Sequence, residues 1–283
     1  MSTPHTGNQP IVVGVDGSEQ ARIALRWGAE CATRHRAPLH LVYAIDVPVD
    51  YGPGPIYDAE RLRRHGDSVV ATAAAEATQH TDVEISTAAV SGSPVAVLRD
   101  RSATARLLVI GSRGLGALRR TLLGSVSTSL ARHAACPVAV IPESEPAPDA
   151  AVVVGVDGSA CSAEAIALAF DEAARRGARL VAVHAWTEFF HYDSRATMQT
   201  QAESLVAESL AGYAEKYPDV TVERLVTQDR PARAVLAAGA DAQLIVVGSR
   251  GRGGFTGMTL GSVAQAVLHG ADRPVIVVRS GPR

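Results

Sequence analysis

The feature that most constrains this chain is a glycine pattern that occurs twice with identical spacing. The first copy reads Gly111-x2-Gly114-x9-Gly124-Ser125, and the second reads Gly248-x2-Gly251-x9-Gly261-Ser262. Each copy follows a short apolar run, which predicts a buried strand. Glycines at fixed offsets after a strand let the backbone approach a bulky anion with its N–H groups turned towards it. The pattern therefore predicts a phosphate-binding loop in each half of the chain.

The repetition extends well beyond the glycines. Residues 12–18 recur unchanged as residues 153–159, and residues 94–140 align without a gap to residues 231–277 at a constant offset of 137. An acidic, proline-rich stretch lies between the copies and is typical of a linker. A chain of 283 residues is long enough for two ordinary domains. We therefore predict a first domain over residues 1–143, a linker over 144–150 and a second domain over 151–283.

Within each half, short β-branched apolar runs alternate with longer amphipathic stretches. In the first half the pattern predicts strands near 10–15, 38–45, 83–90, 106–110 and 137–141, and helices near 18–35, 57–79, 94–104 and 124–134. This alternation is typical of a parallel sheet covered on both faces. The predicted fold class is α/β, with two tandem doubly wound five-stranded parallel-sheet domains of strand order 3-2-1-4-5.

The topology brings two marked sequences to one place. Ligands of doubly wound sheets bind beyond the carboxyl ends of the strands, where the direction of winding reverses. Asp16 ends the first strand and Gly111 ends the fourth, and Asp157 and Gly248 do the same in the second copy. The two aspartates either cap the turn of Asp-Gly-Ser or present a carboxylate to a nucleotide, through ribose, water or a phosphate-bound metal ion.

The chemistry of this place favours a phosphate. A helix that begins at Gly124-Ser125 offers unpaired N–H donors and a positive dipole end. Ser125 and Ser262 add hydroxyl donors. The arginines of the two loops either lend charge or are solvated at the surface; they are Arg113, Arg119, Arg120, Arg250 and Arg252.

An adenine ring would need an apolar slot beside these phosphates. The end of the second strand is the candidate, around Ala44 in the first copy and around Ala185, between His184 and Trp186, in the second. Val90 and Val226 are either walls of the slot or core residues, and Asp46 and Glu188 are candidate acceptors for ribose or base.

Composition excludes several classes of protein. Lys216 is the only lysine, so neither a P-loop lysine nor a kinase strand lysine can stand near either glycine pattern. The first turn is Asp-Gly-Ser rather than G-x-G-x-x-G, which disfavours a dinucleotide-binding domain. The formal net charge of -2 gives no basic footprint for nucleic acid.

The cysteines and the N-terminus bear on location. The three cysteines have no C-x-x-C spacing, which predicts neither a disulfide framework nor a zinc site, and the histidines show no metal spacing. The first ten residues lack an apolar signal region, and no run of 18 apolar residues occurs. The expectation is a cytoplasmic protein without a membrane span or a protein metal site.

Together, Val-Gly-Val-Asp-Gly-Ser and the glycine pattern after the fourth strand resemble the universal stress protein family. The resemblance covers both halves almost end to end and is that of a tandem-domain member of actinobacterial, mycobacterial type. It implies the ATP-binding branch of the family, with one ATP in each domain and Mg²⁺ optionally bound through the phosphates.

The resemblance also implies which residues surround the nucleotide. In the first copy these candidates are Gly14, Val15, Asp16, Ala44, Gly111, Ser112, Arg113, Gly114, Leu115, Gly116, Ala117, Gly124, Ser125 and Val126. In the second copy they are Gly155, Val156, Asp157, Ala185, Gly248, Ser249, Arg250, Gly251, Arg252, Gly253, Gly254, Gly261, Ser262, Val263 and Ala264. Because Ser127 stands where the second copy has Ala264, the first site is expected to have one more hydroxyl available.

Two expectations concern association and activity. The last strand of each half is short, apolar and at a predicted sheet edge, so pairing of the two edges would give a pseudo-dimer about a twofold axis within the chain. Further association into a homodimer stays open. The leading hypothesis is an ATP-binding regulator of stress or growth state with unidentified protein partners, because no general base or nucleophile is evident. A slow ATPase or nucleotidyl-transfer enzyme is the alternative, and a structural interaction module with vestigial sites is a third hypothesis.

Overall fold

The computed structural model describes residues 9–46, 58–114, 123–143, 150–187, 194–253 and 259–279. The chain divides into two compact units, Met1–Glu143 and Ser144–Arg283, which we call unit 1 and unit 2. No described helix is long and apolar enough to cross a bilayer.

Unit 1 alternates strands and helices along its described length. Its elements are β1 (Ile11–Gly14), α1 (Glu19–His35), β2 (Leu39–Ile45), α2 (Ala59–Ala77), β3 (Ile85–Ser91), α3 (Pro94–Ser102), β4 (Leu107–Gly111), α4 (Ser125–His133) and β5 (Val138–Ile141). The strands pair in parallel in the order β3-β2-β1-β4-β5. The fold class and the strand order predicted from the sequence are confirmed, and the predicted elements all occur.

Unit 2 repeats this architecture with one addition. Its elements are β6 (Val152–Gly155), α5 (Ala160–Arg176), β7 (Leu180–Trp186), α6 (Arg195–Ser209), α7 (Tyr213–Lys216), β8 (Val222–Gln228), α8 (Pro231–Ala238), β9 (Leu244–Gly248), α9 (Ser262–Gly270) and β10 (Val275–Val278). The strands pair in parallel as β8-β7-β6-β9-β10. The added turn α7 places Tyr213 on Phe170 of α5, with ring centroids 4.5 Å apart.

The core of each unit lies where its central strands meet the long helix that follows the first strand. Ile11 pairs with Leu39 on one side and with Leu107 on the other, and these three side chains are almost completely buried. Continuous burial along β1 explains why its sequence is apolar at every position rather than at alternate ones. These buried central strands form a rigid base from which the loops at their carboxyl ends project.

All three cysteines are buried. Cys31 is inaccessible, Cys161 is 4% exposed, and burial raises the pKa of the Cys136 thiol to about 12. Since the thiolate is the reactive form, we expect none of the three thiols of the folded protein to react with a disulfide reagent within minutes at pH 8. After unfolding in guanidinium, all three thiols should react. Rapid labelling of even one thiol in the folded protein would contradict this burial.

Candidate functional site

The turn after the first strand has the same geometry in both units. Gly17 and Gly158 have φ of +81° and +74°, which is the left-handed region that favours glycine. The N–H of Ser18 donates to Oδ1 of Asp16 at 2.9 Å, and the N–H of Ser159 donates to Oδ1 of Asp157 at 2.9 Å. The aspartates therefore do form the turn.

The second carboxylate oxygen of each aspartate points to the glycine loop across the cleft. A Cβ atom built on Gly114 would lie 2.6 Å from Oδ2 of Asp16, and one built on Gly251 would overlap Oδ2 of Asp157. The first glycine of the pattern is crowded by a different group. A Cβ on Gly111 would lie 3.0 Å from the carbonyl oxygen of Gln20. Glycine is therefore required in these loops by close approach, and the turn and the loop face each other.

The helices α4 and α9 begin at this cleft without a side-chain cap. Their N-cap residues are Gly124 and Gly261, and neither offers a side chain to the first-turn N–H groups. The first intrahelical bonds run to Gly124 from Thr128 and to Gly261 from Gln265. The N–H groups at the start of each nine-residue helix thus have no acceptor among the described residues. Together with the helix dipole they make a region that favours an anion.

Each cleft continues into a cavity. The cavity of unit 1 has a volume of about 620 Å³ and that of unit 2 about 460 Å³. The first is lined by Gly14, Val15, Asp16, Ala21, Val42, Tyr43, Ala44, Asp46, Pro94, Leu98, Ile110, Gly111, Arg113, Gly114, Leu123, Gly124, Ser125, Val126 and Ser127. The second is lined by Gly155, Val156, Asp157, Ser162, Val183, His184, Ala185, Pro231, Val235, Val247, Gly248, Arg250, Gly251, Arg252, Gly253, Gly261, Ser262, Val263 and Ala264. Most of the described candidate residues thus lie around one cavity in each unit.

Sequence reasoning missed the apolar wall of both cavities. In unit 1 this wall includes Leu98 and Ile110, and in unit 2 it includes Val235 and Val247. Leu98 lies four residues after Pro94, so both residues face the cavity from one side of α3. The gapless alignment of residues 94–140 with residues 231–277 was a signal for this wall, because it preserves an apolar residue at positions 98 and 235.

Several of the candidate residues do not line the cavities. Ser249 is 1% exposed, and the carbonyls of Ser112 and Ser249 accept the N–H groups of Gly124 and Gly261 at 2.8 and 2.7 Å. These two serines therefore close the loops through their backbones. Val90 lies on β3 and is not among the described residues that line the cavity. The same holds for Val226 of β8.

The extra hydroxyl expected in unit 1 is engaged by the protein itself. Ser127 is 3% exposed, and its Oγ donates to the carbonyl of Gly111 at 2.9 Å. Since a hydroxyl has one proton, Ser127 cannot donate to a ligand while this bond is formed. The expectation that this hydroxyl is available to a ligand stays a prediction. Its observed role is to hold the start of α4 against the end of β4.

The end of the second strand differs between the units. In unit 1 it presents Tyr43, Ala44 and Asp46 to the cavity. In unit 2 it presents His184 and Ala185, and the ring Nδ1 of His184 lies 2.7 Å from the carbonyl of Val156. Because a carbonyl only accepts, Nδ1 carries the proton and donates there. The imidazole is thus oriented by the backbone.

The arginines of the two loops also have distinct surroundings. Arg113 forms an ion pair with Glu143, with Nη2 and Oε1 3.3 Å apart. In unit 2 the backbone N–H of Arg252 lies 3.3 Å from Oδ2 of Asp157, and Arg250 lines the cavity. Seven further candidates named from the sequence lie outside the described residues: Leu115, Gly116, Ala117, Arg119, Arg120, Glu188 and Gly254.

Comparison with known proteins agrees with this architecture. The family model described as "Universal stress protein family" matches residues 7–142 and again residues 150–279. The chain belongs to the universal stress protein family. Universal stress protein Rv2005c of Mycobacterium tuberculosis is 45% identical over 297 residues, covering 99% of each chain. Universal stress protein Rv2623 of the same organism is 43% identical, covering 95% of this chain and 96% of that protein.

A solved structure extends the agreement to the fold. The crystal structure of a universal stress protein from Archaeoglobus fulgidus superposes with a TM-score of 0.72 and 22% sequence identity, covering 96% of each chain. The agreement in fold therefore extends over nearly the whole length of both chains.

Proposed function

We propose that this universal stress protein binds ATP, one molecule in the cavity of each unit, and acts as a nucleotide-dependent regulator of stress or growth state. The observation that carries the proposal is the pairing of an uncapped helix N-terminus with a carboxylate across one cleft. The helix end suits a phosphate tail. The carboxylates of Asp16 and Asp157 suit the positive or hydroxyl-bearing partners of that tail, which are a bound cation or ribose.

The dimensions of the cavities agree with this ligand class. Pockets for small ligands usually have volumes of roughly 300–1,000 Å³, and the two cavities have about 620 and 460 Å³. Each joins the polar cleft to an apolar wall, built from Leu98 and Ile110 in unit 1. A nucleotide has the same division, with an apolar base at one end and phosphates at the other. We assign the base to this wall and the phosphates to the first turn of α4 or α9.

A metal ion fits the same arrangement. Asp16 and Asp157 supply the carboxylate oxygens that Mg²⁺ prefers, and such an ion is commonly held by one or two carboxylates together with substrate phosphates. When bound, Mg²⁺ would neutralise phosphate charge. The protein groups proposed to hold it are these two aspartates.

The protein is proposed to retain ATP and to hydrolyse it slowly. Oδ1 of Asp16 already accepts the N–H of Ser18, and the described lining of the cavity of unit 1 includes no histidine, lysine or cysteine that could activate a water molecule. A protein that holds ATP and hydrolyses it slowly can respond to the nucleotide concentration through the loops that are proposed to contact the phosphates. Sustained turnover of ATP, lost in the double variant Asp16→Ala/Asp157→Ala, would favour the ATPase alternative instead.

We expect the purified, denatured protein to release ATP or ADP, identified by mass spectrometry. After removal of nucleotide, calorimetric titration with Mg-ATP should give two molecules per chain. A chain that carries no nucleotide and produces no binding heat at millimolar ATP would overturn the proposal. Titration with Mg-GTP is the matched control for recognition of the base.

A further inference from the structure

The two cavities differ in the charge that surrounds their loop arginine. In unit 1 the guanidinium of Arg113 lies 3.3 Å from the carboxylate of Glu143, and the amide of Gln20 donates to the same carboxylate. Arg113 is a wall residue of the cavity with a side chain 21% exposed. Its positive charge is therefore already balanced by a carboxylate of its own unit.

Unit 2 lacks this carboxylate by sequence. Arg250 is the counterpart of Arg113, and the constant offset of 137 makes Ser280 the counterpart of Glu143. Ser280 lies outside the described residues, but as a serine it carries no charge. The same offset puts Arg279 in place of Pro142. Unit 2 has thus lost one negative charge at this place and gained one positive charge.

Arg279 has no oppositely charged partner in the part of the chain that the structure describes. Arg279 directly follows β10 and is half-buried, and its Nη1 atom is buried without a hydrogen-bond acceptor among the described residues. The N–H of Ser249 donates to the carbonyl of Val278 at 2.7 Å, so Arg250 and Arg279 follow directly after neighbouring residues of two paired strand ends. Burial first, and the charge of Arg250 second, lower the pKa of Arg279. Among the described residues neither arginine forms an ion pair. Two guanidinium groups that repel each other, one with a buried unsatisfied N–H, favour an anion between them.

We propose that Arg250 and Arg279 form a phosphate-group site at the edge of the cavity of unit 2, which unit 1 lacks because Glu143 already neutralises Arg113. Guanidinium groups bind phosphate oxygens through paired N–H donors, which suits this chemistry. The phosphate group comes either from the terminal phosphate of the nucleotide in that cavity or from free phosphate. The assignment to a nucleotide phosphate rests on the proposed function, whereas the assignment to free phosphate does not.

The first arm of the test compares ATP with AMP in the full chain. The background variant Gly114→Leu restricts binding to unit 2, and calorimetry gives the ratio of the AMP and ATP dissociation constants with and without Arg279→Gln. We expect Arg279→Gln to weaken ATP binding by about tenfold, the effect of one charged hydrogen bond, and to leave AMP binding within about twofold. Arg279→Lys should recover part of the loss, and Arg224→Gln on exposed β8 is the control for net charge.

Unit 1 offers the reverse experiment. In the background Gly251→Leu, the variant Glu143→Gln removes the charge that neutralises Arg113. ATP binding by unit 1 should then strengthen several-fold, with AMP binding unchanged. An unchanged ATP affinity there would show that the charge beside the loop arginine does not reach the ligand.

The second arm uses inorganic phosphate alone, followed by ³¹P line broadening on the nucleotide-free wild type and Arg279→Gln. Broadening that Arg279→Gln abolishes, with an unchanged ATP to AMP ratio, assigns the site to free phosphate. A changed ratio assigns it to the nucleotide. If neither measurement responds to Arg279→Gln, the proposal is overturned even where ATP binds. If ATP does not bind at all, the proposed function fails and the phosphate arm alone decides; thermal unfolding checks that each variant is folded.

Discussion

Replacing Gly114 or Gly251 with leucine should remove one of two bound nucleotides from the chain. A Cβ atom at Gly114 would lie 2.6 Å from Oδ2 of Asp16, and one at Gly251 would overlap Oδ2 of Asp157. The remaining leucine atoms would then enter the cleft between the turn and the first turn of α4 or α9. We expect the affinity of the altered unit for Mg-ATP to fall by up to about 100-fold, because overpacking of a filled site costs roughly 1–3 kcal/mol. Calorimetric stoichiometry measures the effect directly.

The glycine at position 253 is the matched control for these variants. It lines the cavity of unit 2, yet a Cβ atom built there has no heavy atom of the described residues within 4 Å. Gly253→Ala should therefore retain two nucleotides per chain. If Gly114→Leu and Gly251→Leu also retained two nucleotides with unchanged affinity, the phosphates would not lie between the aspartate and the glycine loop. The assignment of the cleft would then be wrong.

The second large effect is expected at a buried ion pair in unit 2. Nε of Arg176 lies 2.9 Å from Oε2 of Glu172, with side chains only 6% and 1% exposed. Arg176 also donates to Gln243, whose amide donates in turn to the carbonyl of Ala150. Arg176→Met would leave a buried carboxylate without its guanidinium. We expect the free energy of unfolding to fall by about 3–5 kcal/mol, measured by denaturant titration.

A neighbouring pair on the same helix controls for this prediction. Arg175 and Asp171 have the same i,i+4 spacing and an N–O distance of 2.8 Å, but their side chains are 33% and 30% exposed. Arg175→Met should cost less than about 1 kcal/mol, as partly exposed pairs do. The double variant Glu172→Met/Arg176→Met should be more stable than Arg176→Met alone, since the buried carboxylate is removed together with its guanidinium. Equal losses in Arg176→Met and Arg175→Met would mean that burial does not govern the pair.

The sequence was sufficient for the fold because the information is local and duplicated. Buried parallel strands have continuous apolar sequences, and the repeat of 137 residues allows each half to check the other. The proximity of Asp16 and Gly111 could be predicted from the sequence, since the topology places the ends of β1 and β4 side by side. The pairing of the two edge strands into a pseudo-dimer stays a prediction.

The cavity wall and the charges around it depend on packing over longer distances in sequence. Leu98 reaches the cavity because α3 packs over β1, and a Cβ at Gly14 would lie 2.8 Å from its Cδ1. No spacing rule predicts the ion pair between Arg113 and Glu143, which are 30 positions apart along the chain. The role of Ser127 could not be predicted either, because a hydroxyl facing a ligand and one facing a carbonyl have the same sequence.

Two linked copies of a binding unit can diverge where two identical subunits cannot. In a symmetric dimer every substitution appears at both sites, so the two empty sites have the same intrinsic affinity. Here the position after β5 holds Pro142 and Glu143, while the position after β10 begins with Arg279. A single chain with one neutralised and one charged loop arginine can fill its two cavities at different ligand concentrations. Such a protein would respond over a broader concentration range than either half by itself.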